Sequence, residues 1–482
     1  MRKLLSIAFY FVLLNASAQS LFFQNPVPVP NTQGYLWPRI VYTNNHPFIT
    51  WGSAFPFNLY GSSLIGGSFT TPIQLNPVGY EPYIQSWTGP EMDAISDTVF
   101  VVFTDVNTQT AHVYAVRSID GGLSFSDTIR VDFLSTDVPR FPNVTLRPGG
   151  NPLINFLRFD QNMANQSYVV SRSDNGGISF LPDVNATSIL AAKPCDCCPG
   201  YITADENKVA VVFRNSVNNQ RDFNTGLSFD TASTFSAGAA VDTNNWIIGV
   251  CPSSGPSALF RGDSLISVFM NGASGNSRVY LSTINVNTQQ IGQHRQIFSN
   301  AGGNQNVPRL AGSGDTLGLV WDQTFNGGRM IMFTHSTTGA SGLGVEVDTI
   351  AWGNNTFLSN PDIAYHNGVF HITYSNISTL EVFYSSVSFG NPQSLADNSA
   401  PCTELNVVTN TVKNEMEIST TCNFNTSAKI ALYDLNGRQV FSTNLKSIEK
   451  HQSVYLDKNI TPGIYLLEIA GTNFKKSLKV KF

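Results

Sequence analysis

Residues 97–103 read DTVFVVF: a polar start, a run of β-branched and aromatic residues, and an aromatic end. Residues of these types favour a pleated, half-buried strand. The same design returns at residues 46–51 (HPFITW), 151–156 (NPLINF), 207–213 (NKVAVVF), 263–269 (DSLISVF), 315–321 (DTLGLVW) and 368–374 (GVFHITY). The aromatic ends stand at 51, 103, 156, 213, 269, 321 and 374, so successive gaps are 52, 53, 57, 56, 52 and 53 residues. A proline precedes each strand at a similar distance: Pro38, Pro90, Pro142, Pro199, Pro256, Pro308 and Pro361. Two markers that keep phase over seven copies define a repeat. A period of about fifty residues maps to one sheet of a radial array.

A third marker follows the strands. Residues 118–125 (SIDGGLSF) fit the pattern S-x-D-x-G-x-[ST]-[WF] through Ser118, Asp120, Gly122 and Phe125. Residues 173–180 fit through Ser173, Gly177 and Phe180, with Asn175 in the Asp place. Residues 228–235 fit through Ser228, Asp230 and Phe235, with Ala232 in the Gly place, and weaker copies begin at Ser62, Ser282 and Ser336. In such a turn the carboxylate accepts nearby backbone N–H groups, Gly permits positive φ, and the aromatic fills space between neighbouring sheets. The motif is structural rather than catalytic. On these residues the chain resembles the sialidase-like, Asp-box (BNR repeat) propellers over about residues 30–392. The resemblance implies four-stranded antiparallel blades around a central channel. The predicted fold class is therefore all-β: a six- or seven-bladed β-propeller followed by a small Ig-like β-sandwich. Sialidases of this kind have six blades, but seven registered repeats favour seven, with an irregular cap as the alternative for the first.

Composition agrees with this class. The 482 residues are 42% apolar and 13% charged, enough to bury a core, and no long stretch has helical spacing. A net charge of −5 argues against nucleic acid, whose phosphates need a basic face. At the N-terminus, Arg2 and Lys3 precede an apolar run over residues 4–14 and the small residues Ala16-Ser17-Ala18, the pattern of a signal peptide over residues 1–18. That run is too short to anchor in a membrane, which needs about 20 apolar residues, and no other transmembrane segment is predicted. The propeller is expected over residues 19–392 and a linker over 393–404 (QSLADNSAPCTE).

Residues 405–482 change character. Residues 429–435 (KIALYDL), the turn Asn436-Gly437 and residues 438–440 predict a hairpin. Residues 461–469 (TPGIYLLEI) and the basic, alternating 475–481 (KKSLKVK) complete the set. Together they resemble the type A sorting domains of type IX secretion. That resemblance implies a compact β-sandwich recognised by the outer-membrane export machinery and then removed. The cargo would be secreted or attached to the outer cell surface.

An exported chain with six cysteines predicts disulfides. The candidates are Cys195, Cys197, Cys198 and Cys251, which stand at the entries of the fourth and fifth repeats, and the separate pair Cys402 and Cys422. Cys251 is expected to stitch adjacent blades to the cluster, with a second, shorter bridge inside it. A thiolate metal site is the rival reading, but no histidine stands nearby, and neither a metal nor a cofactor is assigned.

In an antiparallel blade, the entry to the first strand and the exit from the second share a face. Functional residues are therefore expected near each proline and just after each aromatic end. The entries supply Arg39, Glu91, Arg140, Arg309 and Asp362, and the exits Asp105, Arg158, Asp160, Arg214, Arg221, Asp222 and Asp322. The sialidase resemblance implies three arginines on a substrate carboxylate, a Tyr–Glu nucleophile pair and an Asp acid/base. The sequence meets this in part. Arg39-Ile40 lacks the following proline of the usual R-I-P motif, Arg140-Phe141-Pro142 has its shape in the third repeat, and no glutamate is assignable beside a catalytic Tyr. The catalytic candidates are thus Arg140, Arg158, Arg214, Arg309, Asp160, Asp222 and Glu91, with the four arginines as an anionic-sugar site. An exo-glycosidase, a non-catalytic propeller that binds glycans or protein, and a structural surface component all fit, and a carbohydrate-directed role leads.

Overall fold

A computed structural model describes residues 21–389 except 56, 107–110, 134–135, 300–301, 326 and 354–355. It also describes 405–481 except 411–413, 421–427, 435–437, 448–450, 457–459, 462 and 472–474. The expected signal peptide, the linker, Cys402, Cys422 and the Asn436-Gly437 turn lie outside the described residues. The chain divides into two compact units, Met1–Pro392 and Gln393–Phe482.

The described residues of unit one form seven antiparallel sheets. Their first strands are Leu36–Tyr42, Glu91–Ile95, Val138–Arg147, Tyr201–Asp205, Ser257–Arg261, Gln305–Ser313 and Leu358–His366. Each of these inner strands neighbours the next, and Leu358–His366 returns to Leu36–Tyr42, so the array closes around a channel. The repeated motif is the second strand of every sheet: Pro47–Ala54, Thr98–Thr104, Asn151–Phe159, Lys208–Arg214, Ser264–Asn271, Thr316–Phe325 and Val369–Asn376. These strands read as near-continuous apolar runs because neighbouring sheets cover both of their faces. Trp51, Phe103, Phe156, Phe213, Phe269, Trp321 and Tyr374, the aromatic ends, are all buried.

The last sheet has a feature the repeat pattern does not show. Its third strand, Glu381–Phe389, pairs with Leu21–Phe23 and with Val27–Pro28 from the start of the described chain. The seventh sheet is therefore assembled from both ends of the unit, which covers the edge that Glu381–Phe389 would otherwise expose.

The turns after the third strands behave as their residue types require. Asp120 Oδ1 accepts the Leu123 and Ser124 N–H groups at 3.1 and 2.9 Å, and Ser118 Oγ accepts the Gly122 N–H at 2.8 Å. Asn175 and Asp230 accept the Ser179 and Thr234 N–H groups at 3.1 and 2.9 Å. At Gly122 (φ 91°) a Cβ would stand 2.6 Å from the Phe48 ring, and at Gly177 (φ 80°) 2.4 Å from Phe100. The third turn carries Ala232 at φ 61°. The residue equivalent to Phe48 and Phe100 is here Leu153, three positions before the aromatic end, and it shares a core cluster with Ala232. The smaller side chain leaves room for the extra methyl.

Unit two holds a three-stranded sheet (Leu405–Asn410, Glu415–Thr420, His451–Tyr455) and a four-stranded one (Gln439–Leu445, Ala428–Tyr433, Ile464–Gly471, Lys475–Lys481). Met416, Ile418, Ile430, Leu432, Val454, Leu467 and Ile469 form their shared core. Among the described residues, no helix is long and apolar enough to cross a membrane.

Candidate functional site

The inner strand is the edge of each sheet, so its N–H groups on the channel side have no strand to pair with. Side chains from the preceding sheet take that place. Asp362 Oδ2 accepts the Ile40 N–H at 2.9 Å, Asp93 Oδ2 the Leu146 N–H at 2.7 Å, Asn143 Oδ1 the Ile202 N–H at 3.1 Å, and Ser257 Oγ the Leu310 N–H at 3.1 Å. These bonds lace neighbouring sheets around the channel.

The prolines set which residues do this. In four inner strands the register slips between Leu36 and Arg39, Arg140 and Asn143, Asn306 and Arg309, and Ser359 and Asp362. At each slip the residue before proline (Trp37, Phe141, Val307, Asn360) has φ between 49° and 57°. A residue before proline is normally extended, and positive φ is costly for a side chain of this size, so each bulge is held by its surroundings. The residue after the bulge then resumes pairing. Across all seven sheets one position stands opposite the residue before the aromatic end: Arg39 opposite Thr50, Glu91 opposite Val102, Asn143 opposite Asn155, Tyr201 opposite Val212, Ser257 opposite Val268, Arg309 opposite Val320 and Asp362 opposite Thr373. Equal register places them as a ring at one level of the channel.

Glu91 is the hub of that ring. Arg39 donates to its Oε1 from Nε at 3.0 Å and from Nη2 at 2.7 Å. Arg309 crosses from the sixth sheet to donate from Nη2 at 2.6 Å and from Nη1 to Oε2 at 3.3 Å, and Asn143 Nδ2 donates to Oε2 at 3.1 Å. Burial disfavours the Glu91 carboxylate, but the Arg309 and Arg39 guanidiniums outweigh it and hold its pKa at about 2. Arg309 is held charged in return, and its Nε lies 3.9 Å from Asp362 Oδ1. Asp362 is pushed up by burial, against the pull of both arginines. Burial also pushes the Tyr201 phenol to about 12 and Asp93 to about 6.

The ring divides the channel. On the entry-loop side, beside Trp87, Pro199, Ser254 and Val307, about 30 Å³ remains, room for a water or two. Asn360 Nδ2 donates to the Ser86 carbonyl across this mouth. On the other side a cavity of about 380 Å³ runs along the inner strands to Tyr42 and His366, whose rings stack at 4.0 Å.

Of the sequence candidates, Glu91, Arg309, Arg39 and Asp362 meet in the ring. The other arginines do not join them. Arg140 lies over the Phe159 ring, 4.9 Å from its centroid. Arg158 pairs with Asp137 at 3.5 Å and Asp183 at 3.3 Å. Arg214 is fully buried, donates to the Arg221, Ser254 and Met270 carbonyls, and lies 4.2 Å over Phe223. The expected site of four arginines is thus not assembled, because the guanidiniums other than that of Arg309 find partners within their own or the adjoining sheet. Asp160 caps its own turn through the Asn162 and Ala164 N–H groups, both at 2.9 Å. Asp222 accepts the Asn245 and Trp246 N–H groups at 2.9 and 3.0 Å. Asp322 accepts Ser359 Oγ at 2.8 Å, Arg221 reaches Cys195, and Asp105 borders a separate cavity beside Tyr80 and Glu81. Asn143, Tyr201, Ser257 and Asp93 were not singled out from the sequence. The position after each proline is a signal that finds Asn143 and Ser257, whereas Gly200 displaces Tyr201 by one. Cys197 and Cys251 form a disulfide between the fourth and fifth entries, the expected stitch from Cys251 to the cluster, whose partner there the sequence left open. The shorter bridge expected inside the cluster is not formed, Cys195 and Cys198 being free and buried.

A secretion system C-terminal sorting domain (Por_Secre_tail) matches residues 409–481. The domain implies handling by the type IX secretion machinery and export to a secreted or cell-surface location. No curated protein matches the sequence. Among solved structures, a PL25 ulvan lyase, a polysaccharide lyase, is similar at a TM-score of 0.50 and 9% identity, covering 75% of this chain and 95% of its own. A Trypanosoma rangeli sialidase aligns at 0.45 and 7% identity, covering 94% and 87%. The GH93 α-L-arabinofuranosidase of Fusarium graminearum aligns at 0.42 and 10%, covering 77% and 98%. At 9% identity the likeness to the ulvan lyase is one of fold alone: this chain is an all-β propeller followed by a small β domain.

Proposed function

We propose that this is an exported propeller that binds carbohydrate in the channel below the ring without cleaving it. Removal of the sorting domain after export, and release or attachment of the propeller at the surface, belong to the same reading. The observation that carries it is the state of Glu91. A glycosidase needs two carboxyl groups about 5–10 Å apart, one free to donate a proton and one to attack or activate water. Glu91 is neutralised by two guanidiniums and an amide, and holds no proton to give above a pH of about 2. A sialidase-like site needs guanidiniums free for the substrate's carboxylate. Arg39 and Arg309 both spend theirs on Glu91. Tyr201, with its phenol pushed to about 12, is no nucleophile at neutral pH.

The cavity itself suits a sugar. Its volume of about 380 Å³ lies within the ordinary span of ligand sites, roughly 300–1,000 Å³. Asp93, Thr145 and Thr203 offer polar groups along its wall, and the stacked Tyr42 and His366 stand at its far end. The ulvan lyase, which shares the fold, was solved bound to -[GlcA(1-4)Rha3S]-.

The test uses the full mature chain against a panel of immobilised acidic and neutral glycans, and against a fluorogenic sialoside at high protein concentration. The expected result is retention of one glycan class, lost in Thr203→Trp, with no sugar released. Release of sialic acid that vanishes in Arg309→Ala would make it an enzyme, and absence of binding to every glycan would remove the carbohydrate reading.

A further inference from the structure

The entry loops of the fourth and fifth sheets carry four cysteines, and the Cys197–Cys251 bridge, with Cα atoms 6.1 Å apart, uses two. The remaining sulfurs, Cys195 Sγ and Cys198 Sγ, are 3.1 Å apart, and Cys195 Sγ is 3.3 Å from Cys197 Sγ. Cys195 and Cys198 stand at C-x-x-C spacing. The backbone holds both ends of this short loop. The Cys195 N–H donates to the Arg214 carbonyl at 2.8 Å, and the Tyr168 hydroxyl donates to the Cys198 carbonyl at 2.8 Å. Among the described residues, Cys197 alone joins Cys195 and Cys198 in a group of three or more with metal-ligand spacing.

We propose that Cys195 and Cys198 are oxidised to a second disulfide in the exported protein, so that the loop leading to Pro199 and Tyr201 is closed by two bridges. Two thiolates on one tetrahedral zinc, each at about 2.3 Å, stand about 3.8 Å apart. The observed separation is shorter than that, and the third sulfur of the cluster is already bonded to Cys251. The site is therefore shaped for a sulfur–sulfur bond rather than for a metal.

The chemistry needs an oxidant of the disulfide class, an oxidised thiol–disulfide oxidoreductase or oxidised glutathione, such as an oxidising compartment supplies. The Cys198 thiolate attacks one sulfur of that disulfide, forms a mixed disulfide and expels the first thiolate. Cys195 then loses its proton, and its sulfur attacks Cys198 Sγ and expels the second. Two thiols have lost two protons and two electrons, and the carrier disulfide has taken the electrons as two thiolates. In the folded unit burial opposes the Cys198 thiolate, yet the bond from Cys195 and the Arg214 guanidinium outweigh it and hold the thiol below its ordinary range. Both sulfurs are buried in the folded unit, so exchange takes place while the loop is still open during folding.

The wild-type chain tests this without any variant. Protein recovered after export is denatured in an alkylating agent with no reductant, digested, and mapped by mass. The expected species joins the segment bearing Cys195, Cys197 and Cys198 to the one bearing Cys251, carries no alkyl group, and gains the mass of four hydrogens on reduction. Alkyl groups on both Cys195 and Cys198 would overturn the proposal, whether or not zinc is released on denaturation. So would a Cys195–Cys197 bridge that leaves Cys198 and Cys251 alkylated. The readout is independent of glycan binding, so its failure and that of the binding reading are separate.

Discussion

Replacing Glu91 with Gln keeps the shape of the side chain and removes the charge that Arg39 and Arg309 share. We predict a loss of about 3 kcal/mol at neutral pH. The magnitude follows from the carboxyl group itself, held at about 2 in the folded unit against an ordinary 4.5, with each tenfold in acidity worth about 1.4 kcal/mol. Stranding a buried partner of an ion pair costs about 3–5 kcal/mol in other proteins, which agrees. The depressed value also dictates the pH dependence. The stabilisation is fully present above about 4.5 and is lost as the pH falls towards 2, where the protonated carboxyl and the amide become equivalent. The assay is urea unfolding of the wild type and Glu91→Gln from pH 7 down to pH 2.5, followed by tryptophan fluorescence. All six tryptophans, Trp37, Trp51, Trp87, Trp246, Trp321 and Trp352, lie in the propeller unit, so the signal reports that unit alone. The stability difference should shrink steadily as the solution is acidified. A variant within about 1 kcal/mol of the wild type at pH 7, or a difference that does not change with pH, would refute Glu91 as the electrostatic hub.

Asp93 is predicted to act with the opposite sign. Burial raises its pKa from 3.8 to about 6 despite bonds from the Leu146 and Ala94 N–H groups, so stability falls as pH rises from 3.8, where the unfolded carboxyl ionises, to about 6, by about 3 kcal/mol once complete. The wild type should lose stability relative to Asp93→Asn as pH rises from 4 to 7, and a flat difference in matched urea titrations would contradict this. At the turn of the second repeat, Gly122→Ala should lower stability by about 1–3 kcal/mol, since a Cβ would meet the Phe48 ring at 2.6 Å from a backbone at φ 91°. Adding Phe48→Leu recreates the pairing of Leu153 with Ala232 and should recover part of the loss in calorimetric melts. A double variant no more stable than expected from adding the two single changes would show that the ring is not the obstacle.

The repeat was legible because it is written locally. A strand buried on both faces must be apolar along its length, and its aromatic end must recur wherever the next sheet packs, so residues 97–103 and their six counterparts predict the second strand of every sheet. The turn residues Ser118, Asp120 and Gly122 were equally legible, since their hydrogen bonds span at most four residues. The basic, alternating end of the chain likewise announced the strand Lys475–Lys481 and the sorting domain.

The channel was not written locally. Glu91 takes one arginine from 52 residues away and the other from 218, and only closure of the ring decides which entries face each other. Arg140, Arg158 and Arg214 have the same side chain and the same nominal face as Arg309, yet a bulge, a pair of carboxylates and nearby carbonyls respectively turn them aside. Residues 21–28 carry no repeat signature, and their pairing with Glu381–Phe389 follows from an open edge at the other end of the unit. Periodic burial determines where strands lie, because each residue need only know its own environment. The partners of a buried charge depend on which distant strand arrives beside it, and that is settled only when the sheets have closed into a ring.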